Sequence, residues 1–123
     1  MNTDEKIELA KRILNAFKQF ECFVFERNEY NNVKSLLDEI GLTRLVYIGL
    51  ADPRYREIYI VLPWRLEFEQ ECQSRIQRLY AERKISEENY KKNRLLMITQ
   101  CIKHFERERT REIINILEKY IKR

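Results

Sequence analysis

The chain has 123 residues, with 24 Lys and Arg against 20 Asp and Glu and a formal net charge of +4; this length supports one modest core and no second domain. Charged residues make up 36% and Gly and Pro number two each, which excludes a disordered chain or a Gly-rich phosphate-binding loop and predicts helices joined by short connections. No apolar run is long enough to span a bilayer, and Met1-Asn-Thr-Asp-Glu-Lys6 lacks the basic-then-apolar order of a secretion signal, so a cytoplasmic protein is expected.

Residues 4–20 are predicted as an amphipathic helix capped by Asn2 or Thr3. Leu9, Ile13, Phe17 and Phe20 recur at helical spacing while Glu8, Lys11, Arg12 and Lys18 fall on other faces. The next stretch, Glu21-Cys-Phe-Val-Phe-Glu-Arg27, is rich in strand-forming residues, but nothing in it stops a helix, and the first helix is expected to run on by a turn or two. Asn31 and Asn32 should cap a short helix over 33–40, with Val33, Leu36, Leu37 and Ile40 on one face and Gly41 ending it.

Two β-branched and aromatic runs, 42–50 and 55–62, flank Ala51-Asp-Pro-Arg54. They predict an antiparallel hairpin with Asp52 and Pro53 in the turn. Val46, Ile48 and Leu50 are expected to share its buried face with Ile58, Ile60 and Leu62. Pro63 then opens a helix over 64–83, with Trp64, Phe68, Cys72, Ile76, Leu79 and Tyr80 as its apolar stripe.

From Ser86 to Arg123 there is no Gly or Pro, and Ser86 followed by Glu87 and Glu88 is a strong helix start. A straight helix of this extent would be about 54 Å long, whereas a domain of this size is only about 35 Å across. The helix is therefore expected either to break near Thr110 or to project and meet another chain. Beyond the charged stretch His104–Glu112, the residues Ile113, Ile114, Ile116, Leu117, Tyr120 and Ile121 form a stripe that requires a partner surface. The predicted fold is α+β and predominantly helical, a single domain over 1–123. Two N-terminal helices and one antiparallel β-hairpin occupy 1–62, and a helical hairpin with a very long C-terminal helix occupies 63–123.

Cys22, Cys72 and Cys101 are an odd, widely spaced set without a C-x-x-C pair, which predicts buried free thiols and an intracellular compartment. Charge is uneven: residues 1–62 carry 9 Lys and Arg against 10 Asp and Glu, and residues 63–123 carry 15 against 10. The segment Leu79–Leu96, centred on Ile85-Ser-Glu-Glu-Asn-Tyr-Lys-Lys92, resembles the short helical-hairpin modules found at protein C-termini and associated with oligomerisation. Those modules usually carry Gly where this chain has Lys84. The resemblance implies self-association.

These features rank three functions. The leading expectation is a small non-enzymatic interaction protein, a homodimer joined through Ile113, Ile116, Leu117 and Tyr120. The alternative is a dimeric nucleic-acid-binding factor, transcriptional or packaging, that uses Arg44, Arg54, Tyr55, Arg56, Arg75 and Arg78. Its basic hairpin tip resembles the wing of winged-helix proteins, although only one short helix, bearing Asp38 and Glu39, precedes it. A third, disfavoured reading is a metal-dependent nuclease built on Asp52 and Glu57, whose expected lysine two residues beyond the Glu is here Tyr59. The single histidine, His104, has Glu108 one turn away but no further ligand in sequence. No cofactor, small-molecule substrate or membrane partner is expected.

Overall fold

The structure, a computed structural model, describes residues 1–64 and 66–122. Arg65, inside the expected third helix, and Arg123, at the end of the expected last one, lie outside the described residues. In chain order the elements are α1 (Thr3–Phe20), β1 (Phe23–Glu26), a 3-10 turn (Arg27–Glu29), α2 (Tyr30–Ile40), β2 (Val46–Asp52), β3 (Tyr55–Pro63), α3 (Leu66–Ala81) and α4 (Glu87–Ile121). The α+β, mostly helical architecture with a very long last helix is as expected. Instead of dividing at residue 62, the chain forms two units. Unit 1 is Met1–Trp64 with Arg109–Arg123, and unit 2 is Arg65–Glu108.

Unit 1 packs helices on one face of a three-stranded antiparallel sheet of order β1-β3-β2. Asn2 caps α1 by accepting from the Glu5 N–H at 2.8 Å. The helix stops at Phe20 because Glu21 adopts a left-handed conformation (φ 59°) and returns its N–H to the Phe17 carbonyl. Residues 23–26 are therefore a strand and not the helical extension expected. The alternation Phe-Val-Phe-Glu sends both rings into the core, where Phe25 stacks on Tyr59 at 5.8 Å. Helix α2 starts at Tyr30, so Asn31 and Asn32 lie within it, and Gly41 (φ 87°) ends it as expected.

The hairpin register differs from the expected one. Ile48 pairs with Val61 and Leu50 with Tyr59, so Val46, Ile48 and Leu50 share a face with Tyr59, Val61 and Pro63. Ile58, Ile60 and Leu62 point the other way. A two-residue turn explains this: with Asp52 opposite Tyr55, even-numbered residues of β2 must face odd-numbered residues of β3, and a slip of one residue exchanges the faces.

The C-terminal stripe completes this core. Ile113 and Leu117 are 0% exposed and lie in one cluster with Leu9, Ile13, Phe17, Val33 and Leu37; Ile116, Tyr120 and Ile121 pack against it. Lys18 meets Glu118 at 3.2 Å, and the Tyr120 hydroxyl donates to Glu39 Oε2 at 3.3 Å. The interface expected at Ile113, Ile116, Leu117 and Tyr120 is thus occupied by the chain's own residues. Helix α4 runs unbroken through Thr110, where a break was the intramolecular alternative. The length argument assumed one core, whereas α4 supplies residues to two.

Thr110 is the exception inside unit 1. It is buried, and its hydroxyl has no hydrogen-bond partner. An unpaired buried hydroxyl costs about 1–3 kcal/mol, so the near-isosteric Thr110→Val is expected to raise stability by about 1 kcal/mol. Urea unfolding would show this as a higher midpoint at unchanged slope.

Unit 2 is a helical hairpin of α3 and the first part of α4. Phe68, Cys72 and Ile76, spaced four apart, meet Ile98 and Ile102, with Leu79, Ile85, Tyr90, Met97 and Phe105 around them. Phe68 stacks on Phe105 at 5.6 Å, and Tyr80 on Tyr90 at 4.2 Å. Arg83 takes the left-handed position (φ 58°) that ends α3, and the Ser86 hydroxyl caps α4 by accepting from the Asn89 N–H at 3.1 Å. Cys72 and Cys101 form a disulfide with Cα atoms 5.7 Å apart, and Cys22 is free. The expectation of three free thiols therefore fails for two of them, and with it the argument for an intracellular compartment. Sequence spacing did not reveal the pair because the helical hairpin brings together positions 29 residues apart.

Candidate interaction surface

The sheet register decides which residues of unit 1 remain open. On the face away from the helices, Val24 pairs across Ile60 to Gly49, and Leu62 pairs with Tyr47. Val24 is 52% exposed, Tyr47 48% and Trp64 36%. Ile58, Ile60 and Leu62 are half-buried and belong to neither core. Tyr47 meets Trp64 edge-on at 6.4 Å, and its ring lies across Gly49, where a Cβ would stand 2.6 Å from ring carbons. Glycine at 49 is what lets the ring lie flat on the sheet. By alternation Arg56 falls on this face too, and Glu26 pairs with Ile58 at its β1 edge. The result is an apolar strip with a charged rim, the layout of a protein-binding surface. Sequence reasoning missed it by assigning Ile58, Ile60 and Leu62 to the core; the two-residue turn was the available signal.

The residues expected to touch nucleic acid do not form one patch in unit 1. Arg44 precedes β2, whereas Arg54, Tyr55 and Arg56 lie at the other end of that strand, at the hairpin tip. Arg54 is committed to Asp52, bonding Oδ2 at 2.8 Å and Oδ1 at 3.2 Å. These bonds hold the Asp52 carboxyl below the usual carboxylate range, assisted by the Arg54 backbone N–H. The guanidinium also lies 5.7 Å from the centre of the Tyr55 ring. In unit 2, Arg75 bonds Glu71 at 3.1 Å and covers the Phe105 ring at 4.7 Å, and Arg78 is exposed in the last turn of α3.

The carboxylates considered for a metal are also placed. Asp52 serves the turn, while Glu57 meets Arg27 at 3.5 Å. His104 and Glu108 are both exposed on α4. Among the described residues no group of three or more His, Cys, Asp or Glu converges as metal ligands would.

An open groove of about 340 Å³ is lined by Asp4, Glu5, Glu8, Arg12 and Glu29. Arg12 forms a bidentate pair with Glu29 at 2.7 and 3.4 Å. That pairing lowers the Glu29 pKa and raises that of Arg12, as expected for a clamp tying α1 to the turn before α2. Unit 2 exposes Leu66, Leu95 and Leu96. No described helix is long and apolar enough to cross a membrane. No family model, curated protein or solved structure matches the chain.

Proposed function

We propose that the protein is a non-enzymatic interaction protein that binds other protein surfaces through the open face of the unit 1 sheet. One observation carries the reading: Val24, Tyr47, Ile58, Ile60, Leu62 and Trp64 lie together on one sheet face and outside both cores. The central row is aliphatic and the borders are Tyr and Trp, residues enriched where protein interfaces gain most of their energy. The C-terminal stripe plays no part in this, since it is consumed by folding.

Position-specific photo-crosslinking in the source cells tests the proposal. A photoreactive residue at Val24 or Trp64 is expected to give protein adducts, whereas the same residue at exposed Lys11 on α1 gives none. Absence of any adduct at both sheet positions, in a protein that retains its helical signal, would overturn the reading.

A further inference from the structure

The free edge of the sheet identifies a partner for this surface. In the order β1-β3-β2, strand β2 is an edge. The Trp64 N–H donates to the Leu45 carbonyl at 3.2 Å, so Leu45 turns its backbone groups toward β3. Antiparallel alternation then turns those of Tyr47 and Gly49 the same way, and those of Val46, Ile48 and Leu50 outward. Val46–Ala51 contains no charged residue and no Pro; the usual protections of an exposed edge appear only at the tip, as the irregularity between Leu50 and Asp52 and as Pro53.

We infer that this edge pairs with the same edge of a second copy of the chain, antiparallel about a twofold axis at Ile48. This rests on the interaction reading above and names its partner. The outward groups select that register. Val46 meets Leu50 of the partner subunit, Ile48 meets its own counterpart, and each such pair exchanges two N–H···O bonds.

Side chains agree on both faces. On the helix side the pairs are aliphatic throughout. On the open side Tyr47 stands opposite Gly49 of the partner subunit, an aromatic over a glycine, a pairing that supports sheets where glycine offers nothing to pack. The strand ends are opposite in charge, so the register also sets Arg44 against Asp52 of the partner subunit. The Asp52 side chain, though bound to Arg54, is 33% exposed and can accept more. Pairing joins the two open apolar faces into one continuous surface, as an isologous interface requires.

Light-scattering mass and residue-resolved hydrogen exchange, measured across protein concentrations, test this. The wild type is expected to reach the mass of two chains at high micromolar concentration. Amides of Val46, Ile48 and Leu50 should gain at least tenfold protection as it does, while those of Tyr47 and Gly49 stay protected throughout. Leu50→Pro removes an outward N–H that β3 does not use, and is expected to return the mass to one chain. If it misfolds, Leu50→Lys at this exposed position carries the test, because it sets a charge against Val46 of the partner subunit. A one-chain mass at several hundred micromolar, a dimer in which those three amides stay unprotected, or a dimer that survives both substitutions would overturn the inference. Crosslinks from Val24 to other proteins alone would overturn it while leaving the interaction reading standing.

Discussion

Leu117→Ala is expected to lower the stability of unit 1 by about 3 kcal/mol, with a range near 2–5 kcal/mol for truncating a leucine in a packed core. The side chain is 0% exposed and shares its cluster with residues from α1, α2, β1, β2 and β3, so little can collapse into the space left behind. The paired substitution Ile116→Glu with Leu117→Glu should be worse, because it places a carboxylate among aliphatic side chains without a partner. Circular dichroism and urea unfolding are expected to show a melted unit 1, not a well-folded protein of halved mass. The opposite outcome, unchanged stability with a change only in mass, would return this stripe to the role of an intermolecular seam. The prediction separates the two meanings of an apolar helical stripe, which periodicity alone cannot distinguish.

Much of the fold was legible because local chemistry and packing agree. The cap at Asn2, the glycine at 41, the cap at Ser86 and the four-residue spacing of Phe68, Cys72 and Ile76 each place an element. What escaped was long-range pairing. Phe23 and Phe25 read equally well as the end of a helix, and only their pairing with Val61 and Tyr59 makes them a strand. The stripe at Ile113–Ile121 was recognised, but its partner was not, since its covering residues begin about 100 positions earlier in the chain. For the candidate surface the error was one of parity. Every apolar residue on it was identified, and a register shifted by one residue sent Ile58, Ile60 and Leu62 to the wrong side.

Opening the Cys72–Cys101 bond is expected to weaken unit 2 by about 3.5 kcal/mol, the loop-closure value for a bridge spanning 29 residues. The unit spans 65–108, close to the length of about 40 residues below which domains usually need disulfides, metals or partners. Its core consists of side chains from two helices and their turn, so few contacts remain to oppose the freed chain entropy. Unit 1 contains no bridge, and its single thiol, Cys22, is pushed up in pKa by burial and then by Glu21, which slows its reaction as a thiolate. Hydrogen exchange with and without a reductant should therefore show protection falling at least tenfold across α3 and the first part of α4. Protection should persist at 109–121, where the same helix is held by the unit 1 core. Alkylation of denatured, unreduced protein is expected to label one thiol, and labelling of all three would show that the bond is absent. Equal loss of protection along the whole of α4 would mean that its two halves unfold as one unit, and that the bridge stabilises both cores together.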